Sequence, residues 1–219
     1  MRAAELGITV GHLPAGPADA ITDVAGVRVG HTTLIEGEVV RTGVTVVLPH
    51  GGNPGKDPRF AGCHRLNGRG ELTGLEWVRE SGLLGSPIGL TNTHSVGVVR
   101  DALVATELTD GLPVVGETWD GGLNDIRGMH VRTEHVDAAS AEAQAAPELP
   151  VRMLADRLLT PLFDAVIDAT EAAILNALLA GTTMRGYRGT VYALTAEALV
   201  GALTRLGRPP GEPDVGGRR

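Results

Sequence analysis

Apolar positions in the first half of the chain come in short β-branched bursts separated by glycine- and proline-rich breaks. Residues 17–33 read PADAITDVAGVRVGHTT, and from Val27 to His31 apolar and polar side chains alternate with period two, as in a strand with one buried face. GVTVVLP at 43–49 is a β-branched run short enough for a buried strand. GGNPGKDP at 51–58 ends it, since Gly and Pro at that density sustain neither a ladder nor a helix. A helix is predicted to start near Thr73, with Leu75 and Val78 on its inner face, and to stop at Gly82. Pro87–Asn92 predicts a third strand. Ser95–Thr106 predicts a helix with Val98, Val99, Ala102 and Leu103 apolar. Pro113–Thr118 is a fourth strand, running into the turn-rich DGGLND.

The second half reads as helix. Thr160 can cap, Pro161 suits the first helical position, and PLFDAVIDATEAAILNALLA runs to a stop at Gly181. Apolar residues at 162, 163, 166, 167, 174, 175, 178 and 179 form a wide stripe at helical period. Asp164, Asp168 and Glu171 sit toward its N-terminal half, where the macrodipole favours them. Thr195–Leu206 is a shorter amphipathic helix ended by Gly207. Joining the halves is AASAEAQAAPELP at 138–150, Ala-rich and without strand signal. Strands alternating with helices place the chain in the mixed α/β class. The pattern predicts a single domain over 1–206 and a disordered tail over 207–219.

Composition narrows the function. The 219 residues are 42% hydrophobic and 21% charged, a globular balance. With 19 Lys and Arg against 26 Asp and Glu the net charge is −7, and no basic stripe offers itself to nucleic acid. Cys63 is the single cysteine, which excludes an intrachain disulfide and a cysteine zinc cage. No run of about 18 apolar residues predicts a membrane span, and no signal-type stretch opens the chain, so the expected compartment is the cytoplasm. Gly is unusually abundant, 31 residues, while Phe, Trp and Tyr total six, which predicts tight turns and close backbone contact between layers.

Several motifs carry little chemistry. GGNPGK lacks the spacing of a phosphate loop, with His50 and Asp57 where that loop needs Gly and a hydroxyl residue. NGRGELTG at 67–74 has no preceding strand to make it a dinucleotide fingerprint. His50, His64, His94, His130 and His135 show no metal-ligand spacing and read as surface or turn residues. Ser86 after Gly85 reads as the entry to a strand rather than a nucleophile, for no base is placed beside it. The densest segment is ETWDGGLND at 117–125. It is either a functional strand end bearing Glu117, Trp119 and Asp120, or a glycine turn capped by Asp120, Asn124 and Asp125.

Taken in order, ITDVAGVRVGHTTL, RTGVTVVLPHGGNP, GCHRLNGRGELTGLEWVRESGLLGSPIGLTNTHSVG, PVVGETWDGGLNDIRGMHV and PLFDAVIDATEAAILNALLAGTTMRG resemble the DmpA/BapA-type aminopeptidases, the L-aminopeptidase/D-esterase family. The resemblance covers roughly 17–137 and 151–206. It implies an αββα sandwich shared with ornithine-acetyltransferase-like enzymes, a precursor that cleaves itself once, and a serine freed at the new N-terminus as nucleophile. It implies no metal, no organic cofactor, and a homo-oligomer.

The resemblance also implies a long central block between GLNDIRGMHV and RLLTPLFDAV, carrying the cleavage site, the nucleophile and the oxyanion-hole asparagine. Here 138–150 stands in its place, and Ser140 follows Ala139 rather than glycine. No catalytic residue transfers. By resemblance Glu117 lies near the substrate's free amino group, and Trp119 stands where some members have a tyrosine. Asn92 and His94 match a characteristic segment read as structural, and Asp120, Asn124 and Asp125 match by position, with packing or turn duty. The expected ligand is therefore a small peptide or amino acid amide with a free ammonium. Three readings follow: a self-cleaving serine-type aminopeptidase whose sequence has lost its middle, a catalytically dead deletion protein or amino-group-binding module, and an acyltransferase of similar fold.

Overall fold

A computed structural model describes residues 2–65, 67–109, 111–145 and 160–211. The chain divides into two compact units, one of Ile21–Val151 with Arg185–Gly189, the other of Met1–Ala20, Arg152–Met184 and Thr190–Arg219.

The first unit is built on a four-stranded sheet. β1 (Arg28–Glu36) and β2 (Val40–Leu48) form a hairpin in unbroken register from Arg28↔Leu48 to Glu36↔Val40. β5 (Ile88–Asn92) adds antiparallel to β2, and β6 (Val114–Thr118) adds parallel to β5, giving the order β1-β2-β5-β6. A parallel pair needs a crossover, and α2 (Val96–Ala105) supplies it. Between β2 and β5 lie β3 (Arg59–Phe60), α1 (Leu75–Ser81) and β4 (Leu83–Leu84), with β3 and β4 paired as a short ladder. After β6, α3 (Thr133–Ala145) returns to pack on β1 and β2 and against α2.

Both helices cover one face of the sheet, because one side of each strand is apolar. Val44, Val46 and Leu48 of β2 and Val115 of β6 meet Val99, Ala102 and Leu103 of α2 and Val136, Ala139 and Ala143 of α3. Each fully buried Val or Leu here contributes about 1.5–3 kcal/mol. Small residues set the spacing. A Cβ on Gly30 would lie 2.0 Å from the Ala139 carbonyl oxygen, and one on Gly89 would lie 2.7 Å from Val99 Cγ1. The glycine excess thus serves layer contact, as composition predicts. On the opposite face a smaller cluster of Val78, Leu84 and Val114 packs under α1. The rest of that face is open, carrying His31, Thr33, Ile35 and Leu90, with His31 Nδ1 2.9 Å from Thr45 Oγ1.

The second unit centres on α4 (Thr160–Ala180), with α5 (Ala196–Arg205) capped by the Thr195 hydroxyl, which accepts from Ala198 N at 3.2 Å. The N-terminal segment is tied to α4. Asp168 Oδ2 accepts from His12 N and Leu13 N at 2.8 and 3.0 Å, and Asn176 Oδ1 accepts from Ala3 N at 2.8 Å. These backbone amides hold the Asp168 carboxyl below its ordinary value. The apolar stripe of α4 is largely bare: Val166, Ile167, Ile174 and Leu178 are 63, 67, 58 and 51% exposed, while Leu179 is buried. No described helix is long and apolar enough to cross a membrane.

The predicted elements at 74–82, 95–106, 113–118 and 161–180 appear within a residue or two of their expected bounds. The first two strands run longer than predicted. The joining stretch 138–150 needs correction. Its first eight residues belong to α3, where Ala139, Ser140 and Ala143 are buried; residues 146–150 lie outside the described residues. The caps assigned to Thr160 and Pro161 also fall outside the described side chains. Of the predicted tail, Gly211 N donates to Gly7 O at 2.9 Å, and residues 212–219 are outside the description.

Candidate functional site

In an open α/β sheet, parallel strands present their carboxyl ends at one edge, where side chains are aimed by rigid elements and backbone gives way to loops. The parallel pair β5 and β6 ends at Asn92 and Thr118, opposite one another in register. A groove of about 270 Å³ opens there along the uncovered face, lined by Thr42, Asn92, Thr118 and Asp120, with His31 and Thr45 further along the face.

Asn92 is buried and fully used. Its Oδ1 accepts from Ser95 N at 3.1 Å, capping the turn into α2, and its Nδ2 donates to Thr42 Oγ1 at 2.8 Å, joining β5 to β2. The structural role expected of Asn92 is the one it has. His94 beside it is exposed.

The loop after β6 is braced from two sides. Asp120 O accepts from Leu123 N and Asn124 N at 2.9 and 2.8 Å, Asp125 N donates to Val39 O at 2.8 Å, and Leu123 O accepts from Tyr187 N at 2.8 Å. Asn124 is 1% exposed, and its Oδ1 accepts from Arg41 N at 3.3 Å. Burial pushes the Asp120 carboxyl above the ordinary 3.8, while the side chains of Thr42 and Asn124 and the charge of His94 act the other way. The segment is a turn, but the Asp120 main-chain carbonyl closes it: Asp125 makes no side-chain cap bond and Asn124 Oδ1 serves Arg41 N, while the Asp120 side chain faces the groove.

Glu117 and Trp119 do not line it. Strand alternation turns Glu117 away from Thr118, toward residues 70–73, where its Oε1 accepts from Glu71 N at 2.8 Å. Its Oε2 is buried without a partner among the described residues. Trp119 is 72% exposed, and its ring lies over Gly121, where a Cβ would come within 2.8 Å. Thr42 and Thr118 were not among the residues chosen from the sequence, since only strand pairing brings them together.

All four serines of the chain are described. Ser86 is buried, with Oγ donating to Pro87 O at 2.9 Å and accepting from Val114 N at 3.2 Å. Ser81 Oγ donates to Trp77 O at 2.7 Å. Ser95 and Ser140 are buried with unpartnered hydroxyls, Ser140 inside α3. None is hydrogen-bonded to a His, Lys or carboxylate among the described residues. Nor do three of His, Cys, Asp and Glu gather to hold a metal there. His50, expected at a surface or turn, is in a turn but buried.

The sequence profile of peptidase family S58 matches residues 19–151 and, in a second stretch, 144–192. A β-peptidyl aminopeptidase BapA from Sphingosinicella microcystinivorans is 47% identical over 161 residues, covering 67% of this chain and 40% of the relative. The chain spans about two fifths of the length of the curated relatives it matches. Among solved structures, a Burkholderia sp. β-aminopeptidase superposes with a TM-score of 0.83 at 31% identity, covering 96% of this chain and all of that one. The L-aminopeptidase D-Ala-esterase/amidase from Ochrobactrum anthropi, a variant of the Ntn hydrolase fold, superposes with a TM-score of 0.74 at 24% identity, covering 94% of this chain and 99% of that one.

Proposed function

Because the chain belongs to peptidase family S58, we propose that it is an aminopeptidase-type protein that keeps an amino-group pocket at Glu117 and lacks the nucleophile. Covalent catalysis of this type needs a hydroxyl, a base to take its proton, and donors where the oxyanion develops. The observation that carries the reading is the placement of the four serines: each is locked in backbone hydrogen bonds or buried in packing, and none adjoins a base. The two profile matches meet at 144–151, within the stretch where the family's central block is expected, which supports an internal loss there. The free Oε2 of Glu117 supports recognition of a small peptide or amino acid amide through its ammonium. With a single cysteine, the chain is assigned to the reducing cytoplasm.

The test takes the full chain. Intact mass followed over days is expected to stay constant, and alanine p-nitroanilide to be hydrolysed no faster than in buffer. Alanine amide is expected to bind weakly, and Glu117→Gln to abolish that binding. Two fragments, or turnover blocked by a serine-directed inhibitor, would overturn the inactive assignment; equal binding by both proteins would remove Glu117 from the pocket.

A further inference from the structure

The loop 51–57, which resembles a phosphate loop only in composition, is organised around one imidazole. His50 is 5% exposed at the end of the strand that precedes the loop. Its Nε2 lies 2.8 Å from Asp57 O, and its Nδ1 lies 3.0 Å from Gly52 N. A carbonyl oxygen can only accept and a backbone amide can only donate, so the ring is fixed as the neutral Nε2–H tautomer. The approach is close. A Cβ on Gly52 would sit 3.0 Å from Nδ1 and 3.1 Å from Cε1, so glycine is what lets the amide reach the ring.

We propose that His50 is an acid-sensitive latch: neutral, it clasps both ends of the loop, and protonated, it releases Gly52. The proton arriving from solvent adds to the Nδ1 lone pair, the same pair that accepts the Gly52 N–H. Protonation and that hydrogen bond exclude each other, and the imidazolium N–H is left facing an amide N–H. The Nε2–H bond to Asp57 O persists in both states. The Asp57 carboxylate is close enough to feel an imidazolium charge, and it is tied to Arg59 NH1 at 2.6 Å. Lys56 and Glu107 meet the loop through backbone atoms, Lys56 N donating to Asn53 O at 3.1 Å and Glu107 O accepting from Asn53 Nδ2. Further along, Gly55 N donates to Leu108 O at 3.3 Å, past the end of α2 and independent of the ring. Release is therefore confined to the His50 end of the loop.

The experiment is NMR on the full chain labelled with ¹⁵N, titrated from pH 8 to pH 5. At pH 8 the His50 nitrogens should report a protonated Nε2 and an unprotonated Nδ1. As the ring titrates, the protection factor of the Gly52 amide should fall about tenfold or more, while that of core Val46 holds. His50→Gln offers an oxygen to Gly52 and an N–H to Asp57 O, and should keep Gly52 protection flat across the range. An Nδ1–H tautomer at pH 8, a ring that stays neutral down to pH 5, or Gly52 protection unchanged through the titration of the ring, overturns the latch. Both readings come from the unsubstituted chain, so they decide the matter even where His50→Gln fails to fold.

Discussion

Asp120 sits where a short carboxylate is least comfortable: half-buried at a strand end, with Oδ1 lacking a partner among the described residues. Desolvation raises its folded pKa above the ordinary 3.8, so the folded chain holds the proton more tightly than the unfolded one. The stability Asp120 contributes is then fully present below the ordinary carboxylate value and is lost as pH rises through the raised one. Asp120→Asn should accordingly be more stable than the natural protein at pH 7, with the gap closing as pH falls toward the ordinary carboxylate value and absent below about 4. Urea melts at several pH values measure it, and a gap that stays constant with pH would remove the desolvation argument. Glu117, three residues earlier, shows the contrasting case, with one oxygen satisfied by the Glu71 amide. Neither behaviour is written in the segment ETWDGGLND itself. Alternation at the end of β6 decides which carboxylate meets the groove, and the partners Thr42 and Asn92 come from other strands.

Among the elements, α4 combines a strong helical pattern with an exposed apolar side. Ile167 and Ile174, seven residues apart, lie on the same face two turns from each other. Ile167→Lys with Ile174→Lys should change unfolding stability by no more than about 0.5 kcal/mol, since exposed positions carry little packing. The same pair should sharply lower binding of a hydrophobic dye and shift sedimentation toward monomer. Loss of cooperative unfolding would mean that the two isoleucines are packed rather than bare. Helix periodicity made α1, α2, α4 and α5 readable, because large apolar residues recur at 3.6, and Gly82, Gly181 and Gly207 mark the ends of α1, α4 and α5. It missed most of α3, whose buried side includes Ala139, Ser140 and Ala143 beside Val136. Those residues are small because Gly30 brings the β1 backbone against the helix, and a contact made of absent side chains leaves no hydrophobic signal. Strands β3 and β4 are two residues each, too short for any period to show.

Across the whole molecule, the family relationship rests on two stretches that meet near the end of α3, in a chain that covers two fifths of its curated relatives. The sheet lies entirely upstream of that meeting point. Its spatial order, β1-β2-β5-β6, repeats the order of its strands along the chain. Each strand therefore finds its neighbour already formed by the residues before it. Assembly of this kind has low contact order for a sheet, and it proceeds by accretion as the polypeptide emerges from the ribosome. The last ladder closes at Thr118, and α3 then completes the helical cover. All four strands of this sheet and every residue of the main core come before residue 146. A change in the gene downstream of codon 145 therefore leaves the residues of the sheet and of its main core untouched.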